Sequence, residues 1–217
     1  YGYAFAAAKE GIWHRIDSTM QYYPSYHPKD IPKLMHYGLH TQLGSFTFDK
    51  HSHFRFDALS CPPWNLDLKR LRKDDRGLFP HPPFPDVIET EEPRERYGKL
   101  MVVEAVNVLN QALCECHLMK CHPSDQLAKE CSIVNQIATA LDVEFQRLHE
   151  TNAICHDDNE RCSFWANKGE CERSWKYMDT NCRMSCGKCR TYRPVHLSEN
   201  DIRLRVAAER SEERRVG

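Results

Sequence analysis

Six of the chain's eleven cysteines fall between residues 155 and 189. They are Cys155, Cys162, Cys171, Cys182, Cys186 and Cys189, spaced C-x6-C-x8-C-x10-C-x3-C-x2-C. A segment this short cannot bury enough apolar surface to hold itself together; below about 40 residues, covalent or metal staples are the rule. Six cysteines can pair in many ways, and spacing alone does not choose among them. Zinc is the competing staple, but it favours paired C-x2-C knuckles, and only Cys186/Cys189 offers one. Disulfides are the better reading. They place the chain in an oxidising compartment: the endoplasmic reticulum, the Golgi or outside the cell.

The residues between these cysteines narrow the choice. Cys155-His-Asp-Asp, Phe164-Trp165, Gly169-Glu-Cys171, Met178 and Cys182-Arg-Met-Ser-Cys186-Gly-Lys-Cys189 resemble a ShKT module, the fold of a sea-anemone channel toxin that also occurs as an appendage on secreted and luminal enzymes. The resemblance implies the bridges Cys155–Cys189, Cys162–Cys182 and Cys171–Cys186. The outermost would contribute about 4 kcal/mol through loop closure. Lys176-Tyr177 stands where the toxins carry their pore-blocking pair. Residues 155–189 hold six basic and six acidic side chains, however, a balance that argues against channel block. Phe164, Trp165, Trp175 and Tyr177 offer a small aromatic surface or fill a tiny core.

The first ninety residues differ in composition. Tyr1 to Glu10 is alanine-rich and predicts a short helix stopped at Gly11. Ile12–Tyr23 supplies one strand, and Pro24, Pro28 and Pro32 keep the chain extended. Lys33–Leu39 reads as a short buried strand ending in a glycine turn. Cys61-Pro-Pro-Trp64 and Gly77-Leu-Phe-Pro-His-Pro-Pro-Phe-Pro85 read as rigid, proline-fixed segments, like a strap laid over a larger body. Five of the twelve histidines fall in Leu34–His53 or just before it: His27, His36, His40, His51 and His53. His36/His40 and His51/His53 have spacings that suit a metal, but no carboxylate stands at a telling distance, so packing and surface roles are the stronger reading. A net charge of −1 and the absence of a basic stripe argue against a nucleic-acid partner.

A second set of motifs shifts that balance. Tyr1-Gly-Tyr-Ala-Phe-Ala-Ala-Ala, Tyr23-Pro-Ser-Tyr, His36-Tyr-Gly-Leu, Ser45-Phe-Thr-Phe-Asp49-Lys50-His51, Cys61-Pro-Pro-Trp64 and Leu78-Phe-Pro-His-Pro-Pro83 occur in this order. Together they resemble the C-terminal end of plant and green-algal peptidyl serine α-galactosyltransferases, relatives of the hydroxyproline O-arabinosyltransferases. The resemblance implies an α/β fold, the closing part of a GT-A-like nucleotide-sugar domain. It also implies a UDP-sugar donor held through Mn²⁺ or another divalent metal. His36 is the candidate metal ligand. Lys50, His51 and His53 are the candidate contacts to the donor diphosphate, and Asp49 would orient one of them. The partners implied are UDP-galactose and a serine- and hydroxyproline-rich acceptor protein. No D-x-D precedes these motifs and the chain starts without Met, signal peptide or apolar span. It is therefore expected to be a piece of a longer protein, inactive by itself, with any membrane anchor outside it.

After a charged linker at Glu89–Arg96, two periodic segments predict an antiparallel helical hairpin over 97–150. The first seam is Val102, Val106, Leu109, Leu113 and Cys116; the second is Leu127, Cys131, Val134, Ala138, Leu141, Phe145 and Leu148. His122-Pro-Ser124 stops one helix and offers a cap for the next. Cys116 and Cys131 lie on facing seams about the turn, which predicts a bond between them. Cys61 is a candidate partner for Cys114 or Cys121. The organisation expected is thus 1–90 transferase, 97–150 hairpin, 155–189 ShKT and 190–217 a charged tail too poor in apolar residues to fold alone, its last residues reading as a vector scar. The rival is a non-catalytic secreted binding protein whose ShKT module does the work.

Overall fold

The computed structural model describes residues 6, 9–11, 21–23, 28–36, 40–53, 56–64, 77–90, 92–190 and 192. Most of the expected first helix, His27, Tyr37–Leu39 and nearly all of the charged tail lie outside these residues.

The organising element is a pair of long antiparallel helices. Helix α1 spans Pro93–Lys120 and helix α2 spans Asp125–Glu150. Pro93 suits the first turn of α1, where its missing N–H costs nothing, and the Glu92 carboxylate accepts from Glu95 N. His122-Pro123 ends α1, and Ser124 Oγ accepts from Leu127 N at 3.2 Å to open α2.

The α2 seam is buried throughout, from Leu127 to Leu148. The α1 seam needs correction. Val102 and Val106 are buried, but Leu109, Leu113 and Cys116 are only half-buried. The buried positions include instead Val103, Asn107, Asn110, Cys114 and His117. Asn107 Nδ2 donates to Val134 O at 3.0 Å across the hairpin. Cys131 is accordingly bonded to Cys114, and Cys116 is a free thiol. Two residues on a helix subtend roughly 200°, so turning Cys114 toward α2 turns Cys116 away.

These buried polar residues have a purpose. Asn110 and His117 hold the proline-rich strap, whose described residues 61–64 and 77–85 lie in no strand. Phe79 N donates to Asn110 Oδ1 at 2.8 Å, and Asn110 Nδ2 donates to Phe79 O at 3.1 Å. His117 Nε2 donates to Gly77 O at 2.9 Å. From α2, Gln126 makes the same two-way bond with Trp64, at 2.9 and 2.7 Å. Cys61–Cys121 ties the strap to the hairpin turn covalently. The larger body under the strap is the hairpin itself, and Trp64, Leu78, Leu127 and Val134 form the core between them.

The β-structure is sparse. Strand β1 (Gln21–Tyr22) pairs in parallel with β2 (Leu34–Met35), Gln21 opposite Leu34. Strand β3 (Thr41–Leu43) pairs antiparallel with β4 (Phe46–Phe48) through a two-residue turn at Gly44-Ser45. β2 is not the buried strand expected: Leu34 is 53% exposed. The described residues make two separate two-stranded sheets and no larger one.

The cysteine-rich segment closes on Cys155–Cys189, Cys162–Cys182 and Cys171–Cys186, the pairing the ShKT resemblance implies. Its short helices α3 (Cys162–Asn167), α4 (Glu170–Arg173) and α5 (Trp175–Asn181) surround a minimal core of Cys162, Met178 and Cys182. It is docked to the rest of the chain through buried charge. Arg183 donates to Asp30 at 2.5 Å, with the Asp30 side chain fully buried and Arg183 nearly so. Asp30 also accepts from Ile31 N and Arg190 N. At the rim, Asp158 receives Lys29 at 2.6 Å and Arg94 at 3.1 Å. Despite partial burial, these cations hold the Asp158 carboxyl below its usual range. On α5, Lys176 lies over the Trp175 ring and Tyr177 is 46% exposed.

Candidate functional site

The β3–β4 hairpin, the 3-10 helix Lys50–His53 and the strap enclose a cavity of about 430 Å³. Its wall is fixed from behind by aromatic packing. His53 stacks on Phe48 at 5.3 Å, Phe79 meets both rings edge-on, and Phe56 stacks on Phe79 at 4.1 Å. Because Phe79 is clamped by Asn110, the wall is registered to α1.

The lining is chemically particular. Three imidazoles (His40, His53, His81), three hydroxyls (Ser45, Thr47, Ser52) and one carboxylate (Asp49) share it with Phe46 and two prolines. No lysine or arginine is among the described residues that line it. Such a surface suits an uncharged, hydroxyl-rich group, which needs several donors and acceptors beside an apolar face.

Asp49 directly follows β4 and organises the turn after it. Its Oδ1 accepts from both the backbone N–H and the ring Nδ1 of His51, each at 2.9 Å. The backbone bond foremost, then the ring bond, hold the Asp49 carboxyl below its ordinary range, so it is ionised at neutral pH.

The residues singled out from the sequence are thereby separated. His53 and Asp49 line the cavity, whereas Lys50 and His51 are exposed and do not. His36 follows β2, exposed, with its ring 4.9 Å from that of Tyr23, and is not among the lining residues. No group of three or more His, Cys, Asp or Glu side chains among the described residues is placed to hold a metal ion. One exposed imidazole does not make a metal centre, so these residues alone do not fit the divalent ion expected.

Two residues were missed. His81 stands in the Leu78–Pro83 motif and lines the cavity; its Nε2 lies 2.7 Å from Glu130 Oε2 of α2. A histidine fixed between prolines was a signal in the sequence. Glu130, forty-nine residues away on a helix, was not.

A second cavity, about 310 Å³, opens beside the hairpin between Ile31–Met35 and Tyr97, Val108 and Phe145. Glu104 lies in its wall. Burial, and secondarily the charge of Asp142, pushes its carboxyl up to about 7. Tyr192 donates to Asp142 at 2.5 Å nearby, and burial raises the Tyr192 and Tyr97 hydroxyls above the usual phenol range.

Comparison with known proteins matches residues 154–189 to the ShK domain-like family. The chain is 39% identical over 202 residues to a peptidyl serine alpha-galactosyltransferase from Chlamydomonas reinhardtii, covering 87% of this chain and 27% of that protein. It is 33% identical over 138 residues to the protein of the same name from Arabidopsis thaliana, covering 62% of this chain and 16% of that one. A shorter stretch of 35 residues is 51% identical to zinc metalloproteinase nas-14 of Caenorhabditis elegans, 16% of this chain and 7% of that protein. No solved structure matches. The chain spans about a quarter or less of the galactosyltransferases it matches. Five disulfides and this kinship fit the secretory pathway or the extracellular space. The chain is a relative of the peptidyl serine alpha-galactosyltransferases that carries a ShK module at residues 154–189.

Proposed function

We propose that the chain is part of a galactosyltransferase of the secretory-pathway lumen. It transfers galactose from UDP-galactose to serine hydroxyls of hydroxyproline-rich proteins. The observation that carries this reading is the 39% identity extending over 87% of the chain, well beyond the ShK module. The hydroxyl- and imidazole-lined cavity supports it, because both galactose and a serine side chain present hydroxyls.

Within that reading His53 and Asp49 face the substrate, and Lys50 and His51 lie at the outer side of the same turn, where a diphosphate would meet a point charge. His36 is proposed as one imidazole toward a divalent metal such as Mn²⁺, whose remaining ligands the described residues do not supply. The metal would offset charge on the leaving diphosphate.

The test is galactose transfer from UDP-galactose to a serine- and hydroxyproline-containing peptide, using the complete gene product and, separately, these 217 residues. Transfer by the complete protein only is the expected result. A complete protein that is folded, metal-supplied and still inactive with UDP-galactose would overturn the reading and favour a ShK-based binding protein. Transfer by the 217 residues alone would overturn their assignment as an incomplete part.

A further inference from the structure

We propose that His81, positioned by Glu130, accepts a hydrogen bond from a substrate hydroxyl in the 430 Å³ cavity. The proposal rests on the transferase reading above and names a contact which that reading leaves open.

The chemistry follows from a donor count. The Glu130 carboxylate can only accept, so the 2.7 Å bond requires the proton on His81 Nε2. In the neutral form of the ring the lone pair is then on Nδ1. That atom is shielded from solvent and has no hydrogen-bond partner. A buried acceptor left unpaired is costly, and a ligand donor that reaches it removes the cost. The His81 side chain is 20% exposed and the Glu130 side chain 13%, so water competes weakly with such a donor.

The frame around the ring is rigid where it needs to be. Pro80, Pro82 and Pro83 fix the backbone on either side of His81. Two residues upstream, Phe79 is clamped by Asn110. Glu130 comes from α2, whose seam is buried from Leu127 to Leu148. The remaining freedom is rotation of the imidazole about its broad terminal torsion, which can bring Nδ1 toward the cavity while Nε2 pivots on Glu130. The cavity lining has no lysine or arginine among the described residues, and a phosphate oxygen offers Nδ1 no proton, so a hydroxyl is the better match.

The hydroxyl can come from the sugar of the donor or from the acceptor serine, and the experiment separates them. In the oxidised 217-residue chain labelled with 15N at histidine, long-range proton–nitrogen spectra report each ring's tautomer. His81→Gln identifies the His81 signals. The expected pattern is protonated Nε2 with bare Nδ1, and a shift of Nδ1 on adding methyl α-galactoside or a serine-containing peptide. The probe that moves it identifies the source. A proton on Nδ1 would overturn the proposal, and so would an Nδ1 signal that neither probe moves.

In the complete enzyme, Glu130→Gln should lower kcat/KM roughly three- to tenfold for the substrate whose probe moved His81 and leave the KM of the other unchanged. Equal KM changes for both substrates would mark a general structural role and sink the proposal. An enzyme inactive from the start would defeat the transferase reading, while the tautomer and probe titration still decide the role of His81.

Discussion

Adding one methyl group at Gly77 should detach the strap from the hairpin. Gly77 has φ +83°, and a Cβ built there lies 2.3, 2.4 and 2.5 Å from Cε2, Cδ2 and Nε1 of Trp64. Ordinary carbon contacts are about 3.5–4.0 Å, so the ring or the strap must move by more than an ångström. Trp64 has little room. It is 5% exposed, its Nε1 donates to Ser60 O at 2.8 Å, and its ring packs on His117 at 4.8 Å. Gly77 is equally tied, donating to Asp57 O at 3.0 Å and accepting from His117.

Two costs combine at this position. A left-handed backbone costs a non-glycine residue about 1–2 kcal/mol, and overpacking a closed core costs about 1–3 kcal/mol more. Gly44 supplies the control. It has φ +56° with nothing within 4 Å of its would-be Cβ, so Gly44→Ala pays only the first cost. Urea unfolding of the oxidised chain, followed by tryptophan fluorescence, should place Gly77→Ala clearly below Gly44→Ala in midpoint. Equal losses for the two variants would refute the close packing of Trp64 on Gly77.

Two further outcomes are expected. Asp30→Ala or Arg183→Ala alone should cost roughly 3–5 kcal/mol by stranding a buried charge. The double variant should lose less than the sum, and an absence of coupling in that cycle would remove the ion pair as the lock on the ShK module. For Glu104, the folded carboxyl stays protonated to about pH 7 while the unfolded one ionises near 4.5. The folded state therefore holds the extra proton between these values, and its stability falls as pH rises from about 4.5 to 7. Glu104→Gln should flatten that decline, gaining thermal stability at pH 8 over the parent and little at pH 4; identical pH profiles would refute the buried, protonated carboxyl.

The parts legible in the sequence were those with strong local chemistry. The ShK cysteines and their neighbours identify a module because a small fold stapled by three bridges tolerates little variation in spacing. The α2 seam from Leu127 to Leu148 was legible because every inward position is apolar. On α1 the apolar pattern selected Leu109, Leu113 and Cys116 instead of Asn110, Cys114 and His117. Periodicity assumes that a buried face is apolar. Here that face must also bind backbone, because Phe79 N–H, Phe79 C=O and Gly77 C=O of the strap are paired with side chains of α1. The disulfide error at Cys116 has the same origin.

That exchange of apolar for polar residues also explains how the hairpin enters the site. A wholly apolar hairpin would pack the strap without registering it, since hydrophobic contact is non-directional. Asn110, His117 and Gln126 instead bond to the backbone at Phe79, Gly77 and Trp64, which sets the strap's position along the helices. His81 follows Phe79 by two residues, so the Asn110 bonds that position Phe79 also bring the His81 ring within 2.7 Å of Glu130. Asn110 is thus a remote determinant of the cavity, although it does not line it. A one-residue shift that brought Pro80 to Asn110 would offer it no N–H, and a shift in either direction would carry His81 away from Glu130. The hairpin's polar face and the cavity are therefore one design: the bonds that fold the strap also build the site wall.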